Sequence, residues 1–159
     1  DYHGTMEAYF AAKAALFARV LPEDGVAVVN LDDPHGPEVA AIATARGQEV
    51  IGTGRAAAAR LRLTGQRFDA TGQEMLFTWQ GTARQVRLGL IGGFQAQNVL
   101  VAAGLVIGAG EDPAEVFRVL PQVQTVRGRM QLAARRGNGA SVFVDYAHTP
   151  DAVATALQA

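Results

Sequence analysis

The sequence predicts an α/β protein built on a parallel sheet, with a smaller antiparallel part. Apolar runs without alternation, such as Val26–Val29, are typical of strands buried on both faces of a parallel sheet. Segments with helical spacing separate these runs. Between residues 60 and 89, by contrast, apolar and polar residues alternate with a period of two, which is typical of an antiparallel sheet with one solvated face.

The first elements follow one another in the order helix, strand, helix, strand. Thr5 is placed to cap a helix over Met6–Val20. A strand at Gly25–Val29 leads through a turn rich in Asn and Asp into a helix at Pro37–Arg46. Glu49–Gly52 is the next predicted strand, so this stretch forms a βαβ unit.

The middle of the chain is predicted to hold three short antiparallel strands, followed by two helices. Met75, Phe77 and Trp79 share one side of the central strand. We expect these strands to form a subdomain or flap on the parallel sheet. The helices cover Phe94–Gly108 and Asp112–Leu120.

A last strand at Ser141–Asp145 precedes a helix that opens at Thr149-Pro150. The chain starts at Asp1 without a methionine and stops inside this helix, at Ala159. We therefore expect it to be a piece of a longer protein.

Composition excludes several classes of protein. The 159 residues are 49% hydrophobic, carry a net charge of −1 and contain no cysteine. A basic cluster for nucleic acid is missing apart from Arg135-Arg136, so we expect no nucleic-acid partner. The longest apolar run, Val99–Ala109, is too short for a bilayer, so we expect no membrane span. The lack of cysteine fits a cytoplasmic protein.

Lys13 is the only lysine, and it falls in the middle of the apolar stripe of the first predicted helix, between Tyr9 and Leu16 on one side and Phe10 and Phe17 on the other. A buried ammonium is costly unless it is paired, neutralised or chemically altered. Two interpretations stay open. Either the stem packs and the amine reaches water, or Lys13 is a functional lysine.

Two further segments could carry chemistry. Asn30, Asp32 and Asp33 follow a predicted strand at the edge where open α/β sheets bind ligands, although the pattern alone favours an Asx-rich turn that caps the next helix. Gly92-Gly93 leads into a helix whose first turns carry the amides of Gln95 and Asn98. Such a turn could approach a flat ligand closely, or could simply cap the helix.

Near the end of the chain, Arg129 lies in a loop and could contact phosphate, or could simply be solvated. Asp145, Tyr146 and His148 lie between a strand end and a helix N-terminus, a favourable place for an anion. The chain has no G-x-x-x-x-G-K-[ST] loop, no metal-site histidine pair and no G-x-S-x-G elbow. On its own it holds no complete catalytic constellation.

These motifs together resemble the Mur ligases. The opening Asp1–Lys13 and the closing Asp145-Tyr146-Ala147-His148-Thr149-Pro150-Asp151 are similar to specific segments of that family. Val28–Pro34, Gly93–Asn98 and Gly128-Arg129-Met130 match it in order and spacing. More narrowly, the chain is similar to the type that adds 2,6-diaminopimelate to UDP-N-acetylmuramoyl-L-alanyl-D-glutamate.

The resemblance implies an ATP-dependent ligase of peptidoglycan synthesis with ATP and Mg²⁺ as cofactors. Lys13 would be the catalytic residue, carried as a carbamate that meets Mg²⁺. The ATP-binding residues would be Gln95, Asn98, Arg129, Asp145, Tyr146 and His148. Gln95 stands where the family commonly has asparagine.

By the same resemblance, residues 1–138 are the second half of a central ATPase domain, and residues 139–159 open a Rossmann-like C-terminal domain. The phosphate-binding loop, the magnesium-binding acid and a metal-binding histidine (not His3) would lie before Asp1, and the motif that selects diaminopimelate over lysine after Ala159. We expect the 159 residues alone to be inactive, and surfaces left exposed could support a dimer. The alternatives are a folylpolyglutamate synthase-like ligase, or a non-catalytic α/β module that binds a partner through the antiparallel strands.

Overall fold

The structure, a computed structural model, describes residues 3–157, so the first two residues of the opening motif lie outside the described part. The described residues form five α-helices: α1 (Met6–Ala15), α2 (Gly36–Ala45), α3 (Phe94–Gly108), α4 (Pro113–Val119) and α5 (Pro150–Leu157). The strands are β1 (Val26–Asn30), β2 (Glu49–Gly54), β3 (Leu61–Asp69), β4 (Gly72–Trp79), β5 (Thr82–Leu88), β6 (Gln131–Arg135) and β7 (Ser141–Val144).

One five-stranded mixed sheet organises the molecule, in the order β1-β2-β3-β4-β5. The first three strands run parallel and the last two pairs are antiparallel, which confirms both predicted parts. The three antiparallel strands do not stand apart from the parallel sheet as a flap. They extend it, because Leu61 and Arg62 at the start of β3 pair with Thr53 and Gly54 of β2.

Helices cover both faces of the parallel strands. Alternate β1 residues point to opposite faces: Ala27 and Val29 pack in a small core beneath α2, and Val28 lies against α3 in the main core. A Cβ at Gly104 of α3 would come within 2.8 Å of the Val28 side chain, so the close approach of α3 to the sheet requires glycine there.

The helix ends follow the predicted capping. Thr5 Oγ1 accepts the backbone N–H of Ala8 at 3.1 Å and starts α1, and Asp112 accepts that of Glu115 at 3.3 Å and starts α4. The predicted helix Met6–Val20 is continuous, but its last five residues, Leu16–Val20, form a π-helical turn. Within residues 3–157, no helix is long and apolar enough to span a membrane.

Of the two strands in the final hairpin, β6 and β7, the sequence predicted only β7. β7 ends at Val144, one residue earlier than expected, and pairs antiparallel with β6, which the sequence pattern did not indicate. Because β6 precedes residue 138, the hairpin crosses the predicted domain division, which stays a prediction. Beyond it, α5 leaves Val153 and Leu157 exposed.

Candidate functional site

A cavity of about 560 Å³ lies between α3 and the loop at residues 123–129; we call it the amide cavity. Gln95 and Asn98, successive on one face of α3, supply its amides, and Leu90, Val99 and Val126 supply apolar wall. The Gln95 side chain is buried, and Asn98 Nδ2 donates to Gln95 Oε1 at 3.4 Å. The cavity therefore offers a paired amide edge beside an apolar surface.

A second, smaller cavity of about 210 Å³, the hinge cavity, adjoins the first. Phe94 and Arg129 line both cavities. Asp145, Tyr146 and His148 line the hinge cavity from the segment between β7 and α5. The structure thus brings the six residues expected at an ATP site into two adjoining cavities, with Arg129 where they meet.

Asp145 holds the turn that carries Arg129. Its Oδ2 accepts the backbone N–H of Met130, and its Oδ1 accepts that of Ala147, both at 2.8 Å. Met130 has a φ of 49°, which is unusual for a residue with a side chain. Tyr146 N also donates to Gly128 O at 2.8 Å. The segment after β7 and the turn at residues 128–130 are therefore joined as one unit.

Tyr146 and His148 form an exposed aromatic pair next to Asp145. Their ring centroids are 5.4 Å apart in an edge-on arrangement, and His148 Nδ1 lies 3.0 Å from the carbonyl oxygen of Tyr146. Tyr146 is 71% exposed. The pair offers a ring surface and a titratable nitrogen at the mouth of the hinge cavity.

Lys13 lies in a different place, in a cavity of about 430 Å³ between α1 and the end of β1; we call it the lysine cavity. Lys13 is not buried, as expected if its amine reaches water, and its catalytic function stays a prediction. The side chain is exposed, because α1 turns Ala14 inward and leaves Tyr9 and Leu16 largely exposed. The ammonium lies 5.4 Å from the Tyr9 ring centroid, as a cation–π contact.

The polar turn after β1 is built from Asx hydrogen bonds. Asn30 Oδ1 accepts from Asp32 N at 3.0 Å, and Asp33 Oδ1 accepts from His35 N at 2.8 Å. This agrees with the turn interpretation. Asn30 and Asp33 also line the lysine cavity, together with Lys13.

Asp32 has a different function in the fold from its two neighbours. Its carboxylate accepts the backbone N–H groups of Arg55 and Ala56, at 2.8 Å and 3.0 Å, and the side-chain amide of Gln97 at 3.0 Å. It therefore joins the end of β1 to the loop after β2 and to α3. These contacts indicate a structural role for Asp32.

No described residue lines both the amide cavity and the lysine cavity. Nor do residues 3–157 contain a group of three or more His, Asp or Glu side chains arranged to hold a metal ion. The structure therefore assembles the expected nucleotide residues and places Lys13 outside that assembly.

Sequence reasoning missed two residues behind the amide cavity, Gln66 and Gln73. Gln73 is fully buried and bonds to the Gly92-Gly93 turn, as does Gln66. The alternating pattern of β4 could have indicated that Gln73 is buried, since it lies on the same side as Met75, Phe77 and Trp79. A polar residue at a core position of a strand is a candidate for a specific contact.

Comparison with known proteins shows the family of the chain. Residues 1–106 match the Mur ligase middle domain. The chain is 45% identical over 159 residues to the UDP-N-acetylmuramoyl-L-alanyl-D-glutamate–2,6-diaminopimelate ligase of Zymomonas mobilis, and 44% identical to that of Caulobacter vibrioides. Each match covers the whole chain and 32% of the relative, so the chain spans about a third of the length of the curated relatives it matches.

Solved structures give the same result. A UDP-N-acetylmuramoyl-L-alanyl-D-glutamate–2,6-diaminopimelate ligase superposes with a TM-score of 0.79 at 30% identity, over 99% of this chain and 32% of that one. A folylpolyglutamate synthase of Mycobacterium tuberculosis in complex with ADP has a TM-score of 0.74 at 25% identity, over 99% and 35% of the two chains. By the match of residues 1–106 and by these relatives, the chain belongs to the Mur ligase family.

Proposed function

We propose that the chain is part of an ATP-dependent ligase that joins diaminopimelate to UDP-N-acetylmuramoyl-L-alanyl-D-glutamate in peptidoglycan synthesis. One observation carries the ATP-binding part of this proposal: Arg129 joins a cavity with a paired amide edge to a cavity that holds a carboxylate. The base of a nucleotide would bind the amide edge, its phosphates Arg129 and its sugar the carboxylate, and these three parts of the site lie next to one another. The names of the relatives support the choice of acceptor and amine.

The amide cavity suits a purine base. Its volume of about 560 Å³ lies in the range of small-molecule sites, which combine apolar walls with a few placed polar groups. The carboxamides of Gln95 and Asn98 each offer a donor and an acceptor, the pattern that complements the amino group and ring nitrogen of adenine. Leu90 and Val99 would contact the faces of the ring.

Arg129 and Asp145 suit the rest of the nucleotide. A guanidinium binds phosphate oxygens through two parallel hydrogen bonds, and Arg129 is exposed and free to turn toward them. Asp145 is half-buried, and its oxygens keep lone pairs beyond the two backbone bonds, so the carboxylate can accept from ribose hydroxyls. Tyr146 and His148 would contact the nucleotide from the same segment.

In the proposed reaction, ATP phosphorylates the D-glutamate carboxylate of the nucleotide-linked substrate. The amine of the incoming amino acid then attacks the acyl carbon, and inorganic phosphate leaves as the amide bond forms. We propose that Lys13 serves this step as a carbamate, formed when its unprotonated amine adds carbon dioxide and the nitrogen releases a proton. Its oxygens, with Asn30 and Asp33 nearby, are the hard ligands that Mg²⁺ prefers.

Magnesium, when bound, would neutralise charge on the transferring phosphoryl group. The residues of this chain would hold the base, orient the phosphates and supply the carbamate. The exposure of Lys13 supports access of carbon dioxide to its amine.

A direct assay of the intact protein tests the proposal. The protein is incubated with UDP-N-acetylmuramoyl-L-alanyl-D-glutamate, ATP, Mg²⁺ and diaminopimelate, and the products are resolved by mass spectrometry. We expect one amide product, one ADP and one phosphate per turnover. No consumption of ATP would favour the non-catalytic binding module.

Two substitutions of substrate separate the remaining alternatives. Lysine in place of diaminopimelate tests which amino acid is added. A folate and glutamate in place of the two substrates test the folylpolyglutamate synthase alternative. The 25% identity to the folylpolyglutamate synthase of Mycobacterium tuberculosis is the reason for this test. Turnover of the folate alone would contradict the peptidoglycan assignment.

A further inference from the structure

Gln73 is a fully buried glutamine inside the sheet. It lies on β4, and its side-chain amide donates to two backbone carbonyls in the segment before α3, Leu90 O at 3.2 Å and Gly92 O at 2.9 Å. Buried carbonyls need a partner, and residues 89–93 belong to no strand that would supply one. The side chain of Gln73 therefore replaces a strand's hydrogen bonds.

Gln66, on the neighbouring strand β3, completes the arrangement. Its amide nitrogen donates to Gln73 Oε1 and to Gly93 O, both at 2.8 Å. Each glutamine thus fixes the orientation of the other's amide group, and together they bind the carbonyls of Leu90, Gly92 and Gly93. We call Gln66 and Gln73 the glutamine pair.

The turn held by the glutamine pair shapes the amide cavity. Gly92 has a φ of 102° and leads directly into α3, where Gln95 N donates back to Gly92 O at 3.1 Å. Leu90 lies on one side of this turn, and Phe94 and Gln95 on the other, and all three line the cavity. A shift of the turn would therefore move the apolar wall and the Gln95 amide together.

The pair is also anchored on its outer side. The Arg55 guanidinium donates to Gln66 Oε1, and Arg55 N donates to the Asp32 carboxylate, which also receives the Gln97 amide. A continuous hydrogen-bonded chain therefore runs from the turn after β1, through the loop after β2 and the glutamine pair, to the turn before α3.

We propose that Gln66 and Gln73 are positioning residues that set the geometry of the amide cavity for an adenine base, a proposal that rests on the proposed ATP site. Neither side chain lines the cavity, so they act on a nucleotide only through the turn at residues 90–93. Their effect falls on the base, because none of their hydrogen bonds reaches Arg129.

Three variants of the intact protein test this: Gln66→Met, Gln73→Met and, as the matched control, Gln85→Met. Gln85 is an exposed glutamine of β5 in the same sheet, and among the described residues its amide nitrogen donates to Glu74 Oε1 alone, at 2.8 Å. For each, calorimetry gives the Kd of ATP and of inorganic tripolyphosphate, turnover gives KM and kcat, and thermal unfolding gives Tm.

We expect Gln66→Met to weaken ATP binding by about 3- to 10-fold, the effect of one to two lost hydrogen bonds, and Gln73→Met to weaken it further. The Kd of tripolyphosphate and kcat should stay within about twofold of wild type, and Gln85→Met should match wild type throughout. If the two glutamines only stabilised the fold, the variants would lower Tm and would change the Kd of ATP and of tripolyphosphate equally.

The decisive variant is Gln66→Met, whose half-buried position makes it the one expected to fold. An unchanged ATP affinity in that variant, or an equal loss for ATP and tripolyphosphate, overturns the proposal even if Gln73→Met fails to fold. Failure of the wild-type protein to bind ATP at all would instead remove the proposed function.

Discussion

The Asp145 carboxylate accepts the backbone N–H of Met130 at 2.8 Å, and this bond ties the segment after β7 to the turn that carries Arg129. The two residues are 15 positions apart and belong to different sides of the β6–β7 hairpin. Because Met130 has a positive φ, the turn needs such a partner to keep its shape. This bond, together with the one from Tyr146 N to Gly128 O, therefore sets the acid and the arginine proposed for ATP relative to each other.

Asp145→Ala should raise the KM for ATP by about tenfold in the intact ligase, since a hydrogen bond to a charged group contributes roughly 1.5–3 kcal/mol. The change removes the acceptor for Met130 N and Ala147 N as well as the proposed ribose contact. Asp145→Asn keeps one acceptor oxygen and should lose less. Asp24→Ala, at an exposed acid that lines neither cavity, is the control. A wild-type KM in Asp145→Ala would remove this residue from the site.

Arg129→Met should weaken ATP binding by at least about tenfold, because a guanidinium–phosphate pair is lost. Arg127→Met is the matched control, since Arg127 is an exposed arginine of the same loop that lines neither cavity. It should stay within about twofold of wild type. Titration calorimetry with ATP measures both. Equal losses in the two variants would show that only the general positive charge of the loop matters.

Lys13→Arg separates a carbamate from a cation. Arginine keeps the positive charge and the cation–π contact with Tyr9, but its guanidinium does not deprotonate and so cannot add carbon dioxide. We expect kcat to fall by at least about a hundredfold, as for loss of a group that acts on transition-state charge, with the KM for ATP changed less than about threefold. Steady-state kinetics measures both values.

Lys13→Ala should behave like Lys13→Arg if the carbamate is the active form. A wild-type kcat in Lys13→Arg with a low kcat in Lys13→Ala would contradict the carbamate. It would mean that Lys13 acts only by its positive charge. Carbon-13 NMR of the intact protein in labelled bicarbonate would show the carbamate carbon directly.

The Asp69–Arg87 ion pair gives a pH-dependent stability. The Arg87 guanidinium, which donates to Asp69 Oδ1 at 2.8 Å, holds the pKa of that carboxyl well below its usual 3.8, and the hydroxyl and N–H of Thr71 lower it further. A lowered pKa in the folded state means that the pair stabilises the fold above the usual aspartate pKa. That contribution declines as the pH falls from about 4 toward the lowered pKa.

Arg87→Met should therefore lower Tm at neutral pH by a small amount, since both partners are exposed. The difference from wild type should shrink steadily as the pH is lowered from about 4 to about 2. Arg67→Met, at an exposed arginine of β3, controls for loss of charge. A difference in Tm that grows toward low pH would contradict the sign of the effect.

Much of the fold could be predicted because local signals and tertiary packing agree. The cap at Thr5, the buried run of β1 and the helix Phe94–Gly108 follow from residue type and spacing alone. β6 could not be predicted, because four of its five residues are exposed and it forms a strand only through its pairing with β7.

The site was harder to predict than the fold. Periodicity placed Lys13 on an apolar stripe, but which face of a helix is buried depends on its neighbours, and here only Ala14 of α1 is buried. The glutamine pair was missed because its hydrogen bonds join distant parts of the chain. Gln73 lies on the apolar side of β4, but the carbonyls that it binds, Leu90 O and Gly92 O, are 17 and 19 residues away. Only the folded chain shows which carbonyls it meets.

A crystal structure of the intact protein with a non-hydrolysable ATP analogue and Mg²⁺ tests the central claim most directly. We expect the adenine between Leu90 and Val99 with its edge on Gln95 and Asn98, the ribose on Asp145 and a phosphate on Arg129. A nucleotide bound away from the amide cavity, with these side chains contacting only solvent, would contradict it.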